Sequence, residues 1–434
     1  MKRIVQYIPY ILLSIIALFF IRNLGNPLQG MHFVRQSDTL MTGVIYCYES
    51  APFLEPRIAF RGALPKGVVR GEFPLFSYIV SLPCKATGVW SYVFPKILAY
   101  SCFLIALLFW VRMLFPDNKE KQKIFATLSV AISAIVTYML IPIPDAMVFL
   151  FFSGSAALFR VKSERSWLKV LLNLMGFTLI SVGFAMRPYF IFLIPYLFLI
   201  TKDRRFIYSL LPSAGIYFWW YKTMVPTSDI LNYYYTGMPT LEHMFSDFLP
   251  SLASGVFPFL RDQFEIFGLI FLFYGIRKNK IVAIYGLVVL LVMYFLRGSH
   301  LSAHQYYIVS ATLIGLHLMT EGAIQISKSK RALILTLMIL VLIASDQHHW
   351  HKPNVNFEAV RRDAEQNSRF ENRICMKNFG LSAGFYYALR TGWADSWSGF
   401  IVDTFPRIEM ADSSVEYKCP KGAYIMDQNN YLTN

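Results

Sequence analysis

A succession of long apolar runs, separated by short gaps of which every second one is basic, restricts this chain to a many-helix membrane architecture. Crossing hydrocarbon takes about 20 residues of α-helix, and a lipid-embedded segment must satisfy its own backbone, so helices are the expected form. The basic gaps carry Lys119, Lys121 and Lys123; Arg160, Lys162 and Arg165; Lys202, Arg204 and Arg205; Arg277, Lys278 and Lys280; and Lys328, Lys330 and Arg331. Lysine and arginine accumulate on the cytoplasmic side of membrane proteins, so the alternation orients the runs. Only 15% of the 434 residues are charged and 56% are hydrophobic, which excludes an ordinary soluble domain. The formal net charge of +15 therefore reports topology, and no nucleic-acid partner is implied.

The pattern predicts an α-helical polytopic protein with about eleven spans, near 5–24, 91–115, 124–142, 145–160, 167–186, 188–201, 206–225, 263–277, 280–297, 303–322 and 331–345. Val5 to Leu24 follows Met1-Lys2-Arg3 as a signal peptide would. Ile21-Arg22-Asn23-Leu24 stands where a small-residue cleavage site belongs, so a retained helix is expected. The N-terminus is then cytoplasmic and the C-terminus outside. Three segments fall on the outer face: 25–90, 226–262 and the tail from Asp346 to Asn434. Residues 1–345 read as a membrane domain with 25–90 as its first outer loop, and 346–434 as a small extracytoplasmic α/β domain. Cys47 and Cys84 share the first outer loop, Cys375 and Cys419 share the tail, and Cys102 lies within a span. The two pairs are disulfide candidates in an oxidising compartment, and four free thiols are the alternative.

Acidic residues next to hydrocarbon are costly and point to function. Asp38 follows Arg35-Gln36-Ser37 just outside the first span, where a carboxylate could take a proton from a hydroxyl. Glu72 lies in Gly71-Glu72-Phe73-Pro74-Leu75, and Asp145 closes the tight turn Pro142-Ile143-Pro144-Asp145 at the start of a helix, where a carboxylate is also a favourable cap. Cations gather on the same face against the topological bias: Arg187, Lys222 and Arg297. Each alone suits snorkelling to headgroups; together they suit a bound phosphate, since charge-assisted contacts to phosphate are strong. His300 and His304 have the i,i+4 spacing of a metal pair without an evident third ligand, and Tyr306 and Tyr307 follow.

Taken in order, these elements resemble the GT-C superfamily of polyprenol-dependent glycosyltransferases, in particular bacterial members related to protein O-mannosyltransferases and the aminoarabinose transferase of lipid A. The matching elements are Arg35-Gln36-Ser37-Asp38, Glu72-Phe73-Pro74-Leu75-Phe76-Ser77-Tyr78, Pro144-Asp145, Arg187-Pro188 and His304-Gln305-Tyr306-Tyr307, over roughly residues 1–320. Members with Glu-Lys-Pro place a lysine near the lipid phosphate where this chain has Phe73; Arg70 could substitute, or Arg187 and Arg297 could hold the phosphate. The tail matches loosely through Tyr386-Tyr387-Ala388-Leu389-Arg390-Thr391-Gly392-Trp393. The resemblance implies inverting transfer of a sugar from a polyprenyl-phosphate donor to a glycan, lipid or protein acceptor on the outer face of a bacterial inner membrane. Asp38 would be the general base, with Glu72 and Asp145 orienting its partners or the acceptor. Arg35, His300, His304, Tyr306 and Tyr307 would contact substrate, and Arg187, Arg297, Arg70 and Lys222 the donor phosphate. No cofactor is implied, and a divalent metal is compatible with the scheme. A flippase for lipid-linked glycans and an O-antigen-type polymerase are the competing readings; the absence of two similar halves counts against the first, and the early position of the long loop against the second.

Overall fold

The computed structural model describes residues 33–57, 72–132, 141–224, 241–297, 309–349 and 357–367, three short strands and a few single positions between them. In chain order the helices are α1 (Phe33–Tyr48), α2 (Leu75–Thr87), α3 (Phe94–Leu114), α4 (Lys119–Ala131), α5 (Asp145–Arg160) and α6 (Ser166–Met186). A 3-10 turn at Pro188–Phe192 leads into α7 (Leu193–Thr201), α8 (Arg205–Tyr208), α9 (Leu210–Met224) and α10 (Leu241–Phe264). There follow α11 (Gly268–Lys278), α12 (Lys280–Arg297), α13 (Val309–Ile324), α14 (Lys328–His349) and α15 (Phe357–Asn367). Three strands, β1 (Ile374–Lys377), β2 (Gly392–Ala394) and β3 (Tyr424–Asp427), form a parallel sheet in the order β2-β1-β3. The chain divides into two compact units: Met1–Leu24, Lys96–Trp219 and Met238–Gln347 form the larger, and Gly25–Pro95, Trp220–Gly237 and His348–Asn434 the second.

In the larger unit, α13 is buried from Val309 to Ala323. It is met by α11 at backbone distance. A Cβ on Gly275 would stand 1.8 Å from the carbonyl oxygen of Leu318, and one on Gly322 would stand 1.9 Å from that of Phe271. Small residues at such contacts let helices approach where no hydrophobic effect drives them together. Charged groups tie α4 to α13 and α14 on the side of the basic gaps, through Lys121 to Glu321 at 2.7 Å and Arg331 to Glu120 at 2.6 Å. α3 and α6 are apolar on both faces: α3 buries Phe103 and Trp110 while exposing Leu104 and Leu108, and α6 exposes Val170, Leu171 and Leu174. Helices hydrophobic all round belong in a membrane or a large core.

The apolar runs and the helices do not coincide one to one. Among the described residues, Phe94–Leu114 and Ser166–Met186 are each long and apolar enough to cross a bilayer alone, and Gly268–Lys278 with Lys280–Leu296 passes as a pair bent by 119°. The run expected at 124–142 breaks at Ile132, which is extended, and is helical again at Ile135 and Met139. The run at 188–201 becomes a 3-10 turn and a nine-residue helix, because Pro188 cannot continue α6. Apolar length measures solvent preference, not helical continuity, so among the described residues the unbroken spans are fewer than the apolar runs. Conversely, the described part of the expected outer segment 226–262, from residue 241 onward, lies wholly in the 24-residue α10, despite Pro250 and Pro258. The first run lies almost wholly outside the described residues.

In the second unit α1 and α2 run side by side in the same direction. Ser77 Oγ donates to the carbonyl of Thr39 at 2.9 Å, Gly43 fits against Val80 and Trp90, and Cys47 is disulfide-bonded to Cys84 with a Cα–Cα distance of 5.8 Å. A side chain at Gly43 would collide with Trp90 and Val80 at 2.9 Å, so only glycine permits this approach. The bond closes a separation of 37 residues, for which chain entropy assigns roughly 4 kcal/mol. Peptide mapping without reductant is expected to give a linked Cys47–Cys84 peptide, and Cys84→Ser should lower the thermal midpoint; free thiols at both positions in protein taken from the membrane would sink the assignment.

Candidate functional site

Two short sequence signals place a buried charge pair in the larger unit. Pro142 and Pro144 force a sharp turn, closed by the Ile143 amide donating to the Ile141 carbonyl at 2.8 Å, and Asp145 becomes the first residue of α5. A carboxylate is favoured there by the helix dipole. Arg187 sits at the other pole of a helix: it caps the C-terminus of α6, its amide donates to Gly183 at 2.9 Å, and Pro188 ends the helix behind it. α5 and α6 pack antiparallel, with Gly183 against Phe152 and Gly176 against Phe159, so the start of α5 meets the end of α6.

The result is a fully buried ion pair. Arg187 Nε donates to Asp145 Oδ2 at 2.9 Å, and Nη2 lies 2.9 Å from the same oxygen. Tyr189 donates its hydroxyl to Oδ1 at 2.7 Å, and both charged residues are 0% exposed. The Arg187 guanidinium lies 5.9 Å from the centre of the Tyr189 ring, and that ring meets the edge of Tyr307 at 5.2 Å. Three of the short elements read from the sequence, at Asp145, Arg187 and Tyr307, therefore converge across as many as 162 residues of chain. Tyr189 was missed by the sequence reading; its place two residues after Arg187, in the turn that Pro188 starts, is the signal that could have found it. With both carboxylate oxygens engaged, Asp145 is suited to fixing the guanidinium plane and poorly suited to taking a proton.

The second unit holds the two other acids. Asp38 is half-buried on the first turns of α1, between the buried Ser37 and Thr39, and Thr42 Oγ1 donates to its backbone carbonyl at 3.1 Å. Glu72, also half-buried, precedes α2. Because α1 and α2 are parallel and Thr39 lies beside Ser77, both acids fall at the same end of this helix pair. Phe73, where related motifs carry lysine, packs its ring at 5.4 Å from Phe53 and 5.1 Å from Trp220. Tyr78 extends the cluster to Phe53 at 4.9 Å and to Tyr46 at 5.4 Å, and Lys85 Nζ lies 4.3 Å over the Tyr78 ring. Burial pushes the Tyr46 phenol well above its usual range, and it serves as a neutral donor to the Phe53 carbonyl at 2.7 Å. Position 73 thus builds an aromatic plug and supplies no cation.

The remaining candidates are dispersed or undescribed. Lys222 is exposed in the last turn of α9. Arg35 lies in α1 and Arg297 ends α12, with side chains outside the described residues; Arg70, His300, His304, Tyr306 and Cys419 lie outside them altogether, and Cys375 is placed only as backbone of β1. Among the described residues no group of three or more His, Cys, Asp and Glu side chains converges as a metal site.

The fold has a likeness among solved structures, and two of the described helices are each long and apolar enough to cross a bilayer. The likeness is to ArnT from Cupriavidus metallidurans: its apo structure matches with a TM-score of 0.58 at 11% identity, over 89% of this chain and 85% of ArnT. The same protein bound to undecaprenyl phosphate matches with a TM-score of 0.56 at 10% identity, over 92% and 88% of the two chains. No protein-family model matches the chain, and no curated protein matches it by sequence.

Proposed function

We propose that this chain is a glycosyltransferase that moves a sugar from a polyprenyl-phosphate donor to a hydroxyl of a glycan, lipid or protein acceptor on the outer face of a bacterial inner membrane. The observation that carries the reading is the buried Asp145–Arg187–Tyr189 cluster, with Tyr307 against it, in a fold shared with a protein crystallised with undecaprenyl phosphate. In the proposed reaction Asp38 accepts the proton of the acceptor hydroxyl. The oxygen then attacks the anomeric carbon, and the bond from that carbon to the phosphate oxygen breaks with inversion. Polyprenyl phosphate leaves with the electron pair. Its charge is met by cations drawn from Arg297, Arg70 and Lys222, with the buried Arg187 assigned to the same phosphate through its field and not by contact; they stabilise the leaving group without protonating it. Asp145 and Tyr189 hold the Arg187 guanidinium in a fixed plane, so no reorganisation is needed as charge develops. Arg35, His300, His304, Tyr306 and Tyr307 are assigned to substrate contacts, and Glu72 to orienting the acceptor. The Cys47–Cys84 disulfide supports an oxidising, outer location for the first loop; the alternation of basic gaps supports an N-terminus inside and a C-terminus outside.

Mass spectrometry of envelope glycans from cells with and without the chain tests the activity directly. Loss of one sugar increment from an envelope glycan, lipid or protein is expected, with restoration by purified chain in nanodiscs supplied with a polyprenyl-phosphate sugar. An unchanged envelope, or movement of an intact lipid-linked glycan without cleavage of its sugar–phosphate bond, would overturn it.

A further inference from the structure

A cavity of about 430 Å³ in the larger unit plays no part in the proposed transfer. Its lining includes Arg160, Lys202, Asn279 and His317 together with Leu199 and Ile281. Asp145 opens α5 and Arg160 closes it, so the cavity lies about 22 Å along that helix from the buried pair. Its polar rim comes from three different basic gaps, those at 160–165, 202–205 and 277–280.

Cations outnumber the acids at this rim. Asp203 is engaged chiefly by Arg205, whose Nε donates to Oδ1 at 2.9 Å, and is also within the field of Arg160, while Glu321 is bound by Lys121 at 2.7 Å. Asn279 joins the C-terminus of α11, its amide donating to the Gly275 carbonyl at 2.9 Å, to the start of α12, where its side chain accepts the Val282 amide at 3.3 Å. A negative and a positive helix pole therefore meet at this corner of the cavity. His317 is held by Tyr196 at 2.7 Å through Nδ1, with Nε2 3.8 Å from Glu321. Lys202 adopts φ 58° and ψ 18°, the left-handed cap of α7, where glycine is the usual residue. A lysine there accepts a conformational cost and puts a cation at the rim. Beside these groups the wall is apolar, and Ile281 is 66% exposed.

We propose that this cavity binds the phosphate of an anionic membrane lipid from the leaflet on the side of the basic gaps, with Arg160 and Lys202 meeting the phosphate and the chains lying along Leu199 and Ile281. Cations suit phosphate, and the adjoining apolar wall favours an amphiphile over a free anion. That leaflet is the one whose anionic lipids attract basic segments when it faces the cytoplasm.

The test uses delipidated full-length chain in detergent, titrated with phosphatidylglycerol, phosphatidylcholine and glycerol 3-phosphate while thermal unfolding is followed, and native mass spectrometry counts bound lipid. Phosphatidylglycerol is expected to raise the midpoint and to be retained in preference to phosphatidylcholine. Lys202→Gly is the informative variant, because glycine relieves the left-handed backbone: it should unfold no earlier than wild type without lipid, yet bind phosphatidylglycerol roughly tenfold or more weakly. Arg160→Gln should weaken binding similarly, and neither change should alter sugar transfer measured with lipid in excess. Equal effects of the two phospholipids, or wild-type affinity in both variants, would overturn the site. Glycerol 3-phosphate binding as tightly as phosphatidylglycerol would overturn the lipid assignment in favour of a soluble phosphate ester.

Discussion

Asp38→Asn is expected to leave the chain folded and able to bind a polyprenyl-phosphate sugar, and to slow transfer about a hundred- to ten-thousand-fold, the range that general-base groups contribute. The exchange keeps the size of the side chain and removes only its capacity to hold a proton. Asp38 is half-buried at the end of α1 where Glu72 also falls, whereas Asp145 has one oxygen on Tyr189 and the other on Arg187. An acceptor hydroxyl must reach the carboxylate, and Asp38 is half-buried where Asp145 is 0% exposed, so the base is assigned to Asp38. The measurement is single-turnover transfer in nanodiscs, with donor binding determined separately. Near wild-type transfer by Asp38→Asn, alongside an inactive but folded Asp145→Asn, would move the base to Asp145. Glu72→Gln should give a smaller, graded loss consistent with orienting the acceptor.

Arg187→Ala should destabilise the larger unit by about 3–5 kcal/mol, the usual consequence of leaving one member of a buried pair without its partner. Asp145 is 0% exposed, so removing the guanidinium withdraws the positive charge opposite a fully buried carboxylate. Read from sequence as a cation at an outer helix end, Arg187 would be expected to be replaceable without harm to the fold; its complete burial reverses that expectation. Arg187→Lys should fail partly, since an ammonium cannot reproduce the two-nitrogen approach of the guanidinium. Replacing both members, as Asp145→Asn with Arg187→Gln, should recover much of the thermal midpoint while transfer stays lost. A midpoint for Arg187→Ala equal to wild type would show that the pair contributes nothing to the fold, and full activity in the double variant would remove the cluster from the proposed mechanism.

The local chemistry of the candidate site was legible because it is written over a few residues. Proline at 142 and 144 ends one helical path and makes Asp145 the start of the next; Arg187-Pro188 ends another with a cation at the favourable pole. These are steric and dipolar effects within one turn, and a sequence exposes them directly. The membrane class was legible for a similar reason, since composition and the alternation of basic gaps reflect transfer free energies that accumulate residue by residue.

What the sequence by itself determined is therefore the solvent of this protein and the chemical identity of its helix ends. The tertiary structure alone decided which ends meet. Asp145 and Arg187 stand 42 residues apart, and only the antiparallel packing of α5 on α6 brings them to 2.9 Å and adds Tyr189 to the pair. The same holds for Cys47 and Cys84, joined because Gly43 lets α1 lie against α2, and for Phe73, which fills an aromatic cluster where a related motif carries a cation. Apolar runs became broken helices at Ile132 and Pro188, and α10 formed across two prolines. Propensity and periodicity act over a turn or two of chain, whereas register between helices is set by which side chains and glycines interlock at distant positions, information that no local window contains.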